Sequence, residues 1–242
     1  MDEAVTKWLE QIADEKLNAE DVERSLRYAK DLEQGLAKVR TYAQGVSIFG
    51  SARLKPDSKY CKLATKLGFL LAQNGHPVIT GGGPGIMEAA NKGCYEAGGR
   101  SIGLNIQLAH EQHINPYVTD EMEFHYFFAR KVMLTMSSKV YVFFPGGFGT
   151  MDEFSEILIL MQENKMPKMP MFLIGKSFWK PLDKYFYEKM ERQMKTIAKG
   201  DRSIYRITDN VEEVVEAANK IGHPSIYDNL YNTSGNKKYK GI

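Results

Sequence analysis

Long hydrophobic runs are missing from this sequence. The longest are strand-sized, such as Val140–Phe144, and too short to cross a bilayer, so no membrane span is expected. Cysteine is scarce: Cys61 and Cys94 stand alone, without metal-ligand spacing, and read as buried thiols in a reduced, cytoplasmic setting. Charge of one sign is also lacking. The formal net charge of +2 gives no electrostatic case for nucleic acid or a membrane surface as partner. The acidic start, Met1-Asp2-Glu3, has neither the basic nor the apolar region of a secretory leader. Familiar nucleotide and hydrolase signatures are absent too. Gly81-x-Gly83-x-x-Ile86 lacks the third glycine of the dinucleotide fingerprint, no Gly-Lys-Ser/Thr follows the other glycine cluster, and no Gly-x-Ser-x-Gly elbow occurs. NAD, ATP and a serine nucleophile are therefore not inferred. His110, His113 and His125 have no companion ligands at useful spacing, so no metal is expected.

What is present is an alternation of strand-like and helix-like segments. Residues 1–41 read as a charged helical extension with apolar stripes at three- and four-residue steps, among them Val22, Leu26, Leu32, Leu36 and Val39. Residues 42–222 form the body, with strands at Val46–Phe49, Pro77–Thr80, Arg100–Asn105, Met122–His125, Lys139–Phe144, Pro170–Ile174 and Tyr205–Thr208. Helical segments separate them, including Ser58–Asn74, Phe127–Ser137, Phe154–Gln162, Trp179–Ala198 and Val211–Ile221. Residues 223–242, rich in Asn, Ser, Gly and Lys, read as a flexible tail. Apolar strands alternating with helices predict an α/β fold, a parallel sheet covered on both faces. Ligands bind such sheets beyond the carboxyl ends of the strands, at a switch point. Every glycine-rich loop falls at such an end: Gly50-Ser51, Gly81–Gly85 and Gly146–Gly149.

The sharpest signal is Pro145-Gly-Gly-Phe-Gly-Thr-Met-Asp-Glu153, between a buried strand and a helix. Free amides at a helix start, unobstructed by side chains, face an anion, and the helix dipole favours negative charge there. Gly146, Gly147, Phe148, Gly149 and Thr150 are thus candidates to hold a phosphate, with Asp152 and Glu153 as acids beside it. The same spacing, Thr150-x-x-Glu153, also fits a capping box, in which Glu153 only returns a hydrogen bond to the backbone. Gly82, Gly83 and Gly85 allow close backbone approach of a ligand, or serve a tight turn alone. Arg130-Lys131 lies on an otherwise apolar helix, which leaves little polar surface for a merely solvated pair; an arginine there would bind phosphate bidentately. Ser51 after the first strand, and Glu111 and Asn115 in the long polar segment 106–120, are further candidates for ribose or base contacts.

Phe128-Ala-Arg130-Lys131-Val-Met133 followed by Pro145–Glu153 resembles the paired signatures of the Lonely Guy (LOG) family, often labelled "possible lysine decarboxylase". The resemblance spans roughly Val46–Ile221, and the Glu111–Asn115 loop is similar to the family's longer bacterial branch. It implies a Rossmann-like doubly wound sheet. It also implies hydrolysis of the N-glycosidic bond of a cytokinin or purine nucleoside 5′-monophosphate, with Arg130 and Glu153 as the catalytic pair and Gly146–Thr150 on the phosphate. Neither metal nor organic cofactor is implied, and at least a homodimer is. A non-catalytic nucleotide carrier, similar to molybdenum-cofactor carrier proteins, is the competing expectation on the same fold.

Overall fold

The computed structural model describes residues 18–42, 45–106 and 114–221. Glu111, His110, His113, residues 1–17 of the expected extension and the expected tail all lie outside the described residues.

Helix α1 (Ala19–Val39) and a short 3-10 turn (Arg40–Tyr42) lead into β1 (Gly45–Phe49). There follow α2 (Lys59–Gln73), β2 (Val78–Thr80), α3 (Ile86–Glu96), β3 (Ser101–Ile106), β4 (Asp120–Phe124), α4 (Phe127–Met136), β5 (Ser138–Phe143) and α5 (Phe148–Gln162). The described residues end with β6 (Met171–Ile174), α6 (Lys176–Tyr185), β7 (Tyr205–Thr208) and α7 (Glu212–Lys220). All seven strands pair in parallel in the order β4-β3-β2-β1-β5-β6-β7. The order reverses between β1 and β5, so the switch point lies between the loops that follow these two strands.

Alternation along each strand builds the two layers. In β5, Val140 and Val142 face a core shared with Leu67, Ile86 and Val214, while Tyr141 and Phe143 face Met133, Phe154 and Trp179 on the other side. Both faces being covered explains why the strands read as continuous apolar runs. Phe49 and Phe143, paired in register, stack with ring centroids 4.8 Å apart just below the switch point.

Two boundaries depart from expectation. Helix α5 begins at Phe148, six residues before the expected start, because Gly147 takes the N-cap and the glycine-rich stretch forms the helix's own first turn. Glycine's low helix propensity disguised that turn, but first-turn residues need no bond to a preceding carbonyl. Helix α6 begins at Lys176 rather than Trp179, and continues as a π-helical stretch over Phe186–Gln193 instead of running on to Ala198.

Candidate functional site

Three loops meet at the switch point and are tied through backbone. The Ser51 amide donates to Pro145 O at 3.0 Å, and Ser51 O accepts from the Ile86 amide at 3.0 Å. Gly85 makes the second contact possible: its φ is +71°, and a Cβ there would stand 2.3 Å from Ser51 O. Ser51 is thus the knot of the rim, and its Oγ accepts from the Arg53 amide.

At the mouth of α5 the first amide bonded within the helix is that of Met151, to Gly147 O at 3.0 Å. The amides of Phe148, Gly149 and Thr150 precede it, and among the described residues no side chain caps them. Side chains at Gly147 and Gly149 would meet nothing within 4 Å, and Phe148 is 95% exposed. Gly146 is different: a Cβ there would lie 2.1 Å from Thr150 Oγ1, so Thr150 packs back onto the turn. Thr150 is the third residue of the helix and Gly147 its cap, so the capping-box reading of Thr150-x-x-Glu153 is overturned.

That leaves Glu153 without the bland role. It is 8% exposed, and Oε2 is buried without a hydrogen-bond partner among the described residues. Burial pushes its carboxyl up to about 7, against the pull of Arg130 and Lys131 and with the help of Glu156 and Asp152. Arg130, from α4, donates through Nε to Leu104 O at 2.8 Å and packs against Gly81. Burial draws its guanidinium below the ordinary value, and the charge of Glu153 opposes this. A buried carboxyl and a half-buried guanidinium therefore face each other's fields at this rim.

Other expected site residues have different neighbours. Lys131 turns to α5, bonding Asp152 at 2.9 Å and Glu156 at 2.8 Å. Burial works against its charge, but those two bonds outweigh it and hold the ammonium above its ordinary value. Asn115 is buried, and its amide group is occupied: Nδ2 donates to Gly82 O, Gly83 O and Asn91 Oδ1 within 3.0–3.2 Å, and Oδ1 accepts from the Tyr117 amide. Gly82 is turned inward, its amide on Thr80 Oγ1 at 2.9 Å. Asn115, Gly82 and Gly83 thus form a brace for the β2 loop behind Arg130. Sequence reasoning placed Gly81 on the rim without a contact, and missed the Leu104 carbonyl and Glu156. Of these two, Glu156 left a signal, one turn beyond Glu153 on the same helix.

Comparison with known proteins follows the same outline. A model of the family described as "possible lysine decarboxylase" matches residues 87–218, more than half of the chain. A protein of Archaeoglobus fulgidus described as uncharacterized is 32% identical over 110 residues, covering 45% of this chain and 69% of its own. A cytokinin riboside 5′-monophosphate phosphoribohydrolase of Rhodococcoides fascians is 24% identical over 157 residues, 62% of this chain and 77% of its own. Among solved structures, the molybdenum cofactor carrier protein of Chlamydomonas reinhardtii superposes with a TM-score of 0.54 at 24% identity, over 71% of this chain and 93% of its own; that likeness carries the fold alone. With its Rossmann-like sheet and a family match that takes in both Arg130 and Glu153, the chain belongs to the LOG family, the family labelled "possible lysine decarboxylase".

Proposed function

We propose that the chain hydrolyses the N-glycosidic bond of a purine or cytokinin nucleoside 5′-monophosphate, giving free base and ribose 5-phosphate. The observation that carries this reading is the Oε2 of Glu153, buried and without a partner among the described residues, beside the uncapped start of α5. The amides of Phe148, Gly149 and Thr150 take the 5′-phosphate. Glu153, ionised, faces C1′ and accepts a proton from the attacking water as the water oxygen bonds to that carbon. The base leaves with the bonding pair and takes up a proton at a ring nitrogen. Positive character on the ribose is stabilised by the carboxylate, as in other glycoside hydrolyses. Arg130 fixes the nucleotide or assists the departing base, and binding energy from the phosphate aligns the sugar. No cofactor takes part in this scheme. The activity in the name of the R. fascians relative supports it.

A carrier role, on the pattern of the C. reinhardtii protein, is the second reading. A carrier has no use for an acid held near neutrality beside its ligand, which favours the hydrolase. Lysine decarboxylation gains nothing from lysine placement: Lys139 is buried but sits near the amino end of β5, across the sheet from the rim. We also assign residues 1–41 to an extension, 42–222 to the catalytic body and 223–242 to a tail. The protein is cytoplasmic in this reading. Exposed Leu26, Phe127 and Phe128 support a homodimer or larger assembly, and a monomer in light scattering at micromolar concentration would defeat that assembly.

The test is a panel of AMP, GMP, CMP and isopentenyladenosine monophosphate, with free base detected chromatographically. Turnover of a purine monophosphate that collapses in Glu153→Ala and Arg130→Ala is the expected result. Tight binding without product over hours would instead support the carrier.

A further inference from the structure

Arg130 is held from a direction that its neighbours in sequence do not reveal. Helix α1 lies against α4, and Asp31 of α1 is 5% exposed. Its Oδ2 accepts from the amides of His125 at 2.9 Å and Tyr126 at 3.2 Å, and its Oδ1 pairs with His125 Nδ1 at 3.0 Å. Tyr126 is the N-cap of α4 and supplies no side-chain bond of its own. A carboxylate from another helix therefore takes the amides of the N-cap Tyr126 and of His125 just before it, and meets the positive end of the helix dipole. One turn further on, the Arg130 amide donates to Tyr126 O at 3.2 Å. The backbone of Arg130 hangs from the very residue that Asp31 pins.

The same face of α1 makes two more contacts. Tyr28 meets Tyr126 and Phe128 edge-on, with ring centroids at 4.4 and 5.1 Å. At Gly35 the absence of a side chain admits Met133, whose Cγ and Sδ would each lie 2.7 Å from a Cβ. Residues 28, 31 and 35 share one helical stripe, so α1 acts on α4 as a unit. At its far end Arg130 is fixed between Leu104 O and Gly81, which leaves its guanidinium little room for travel. Helix α1 lies outside the family-matched residues 87–218.

We infer that Asp31 is a positioning residue for Arg130, acting through the first turn of α4; its effect on turnover rests on the hydrolase reading above. Asp31→Ala removes the acceptor from two amides and releases that turn. Asp31→Asn keeps an oxygen where Oδ2 stands and restores both amide bonds.

Two measurements on the full chain test this. The first is hydrogen exchange across residues 125–131, which is expected to accelerate at least tenfold in Asp31→Ala and to stay near wild type in Asp31→Asn. The second is AMP hydrolysis, with kcat counted per folded molecule. It is expected to fall roughly tenfold in Asp31→Ala, with KM changed less than about threefold, and to recover in Asp31→Asn. A residue serving stability alone would lower the folded fraction and leave kcat per folded molecule unchanged; that outcome, or unaltered exchange across 125–131, overturns the inference. Absence of turnover in the wild-type chain would count against the hydrolase alone, because exchange reports the brace whether or not base is released.

Discussion

The guanidinium of Arg130 stands where a side chain on Gly81 would have to be: a Cβ at Gly81 would lie 2.4 Å from Arg130 Nη2 and 3.0 Å from Met87 Sδ. Arginine tips usually swing away from such a clash, but this one is tied by Nε to Leu104 O. Gly81→Ala must therefore break that bond or tilt the guanidinium. The expected outcome is a loss of roughly tenfold or more in AMP turnover, the scale on which small displacements of catalytic groups act, with a melting temperature close to wild type. Unchanged turnover would mean that Arg130 works from a different position.

Glu153 links catalysis to stability through its proton. Its carboxyl is pushed up from 4.5 to about 7, chiefly by burial, so the folded chain binds this proton more tightly than the unfolded chain does. The resulting stabilisation is fully present below about 4.5 and is lost as pH rises through about 7. Between pH 4.5 and 8 the wild type should lose about 2–3 kcal/mol relative to Glu153→Gln, which has no proton to lose. Urea unfolding of both proteins at the two pH values measures this; parallel pH dependence would remove burial as the cause. Turnover should show the opposite slope, rising through pH 7 as the carboxylate forms, and Glu153→Gln should turn over roughly a thousandfold more slowly.

The glycines of the Pro145–Glu153 segment separate into two kinds. Gly146 is filled from behind by Thr150, whereas Gly147 and Gly149 face open space with ordinary backbone angles. Gly146→Ala is expected to unseat the start of α5 and lower the melting temperature by several degrees. Gly147→Ala and Gly149→Ala should fold as the wild type does but crowd the exposed amides, raising KM for AMP about tenfold. Equal KM values in all three variants would move the phosphate away from this turn.

Much of this arrangement was legible in the sequence, since strand placement, the parallel sheet and the glycine loops at one rim follow from periodicity and punctuation. The start of α5 was not, because Gly147 and Gly149 look like loop residues and only the helix geometry makes Gly147 a cap. Asn115 reads as a ligand contact in a polar loop, yet its amide braces Gly82 and Gly83. Lys131 reads as a candidate beside Arg130; adjacent residues on a helix point about 100° apart, and its pairing with Asp152 and Glu156 of α5 had no local pattern to announce it. Asp31 gives no signal at all, since a long-range cap across about ninety residues has no local pattern.

The Lys131–Glu156 pair supplies a test in which two substitutions must act with opposite signs. Lys131 lowers the proton affinity of Glu153, and Glu156 raises it. Lys131→Met removes a cation from the neighbourhood and leaves Asp152 and Glu156 unneutralised, so the Glu153 carboxylate forms at higher pH. Glu156→Gln removes an anion and leaves Lys131 bound to Asp152 at 2.9 Å, so the carboxylate forms at lower pH. The acidic limb of kcat against pH for AMP is therefore expected to move up in Lys131→Met and down in Glu156→Gln, each relative to a wild-type midpoint near 7. At pH 6 this makes Glu156→Gln the faster of the two whatever their plateau rates, once each is scaled to its own maximum. Raising the salt concentration should shrink both displacements only modestly, because Glu153 is buried and screening by ions is weaker there. Displacement of both limbs in the same direction would show that the rate at low pH follows some other group, and Glu153 would lose its assignment as the titrating base.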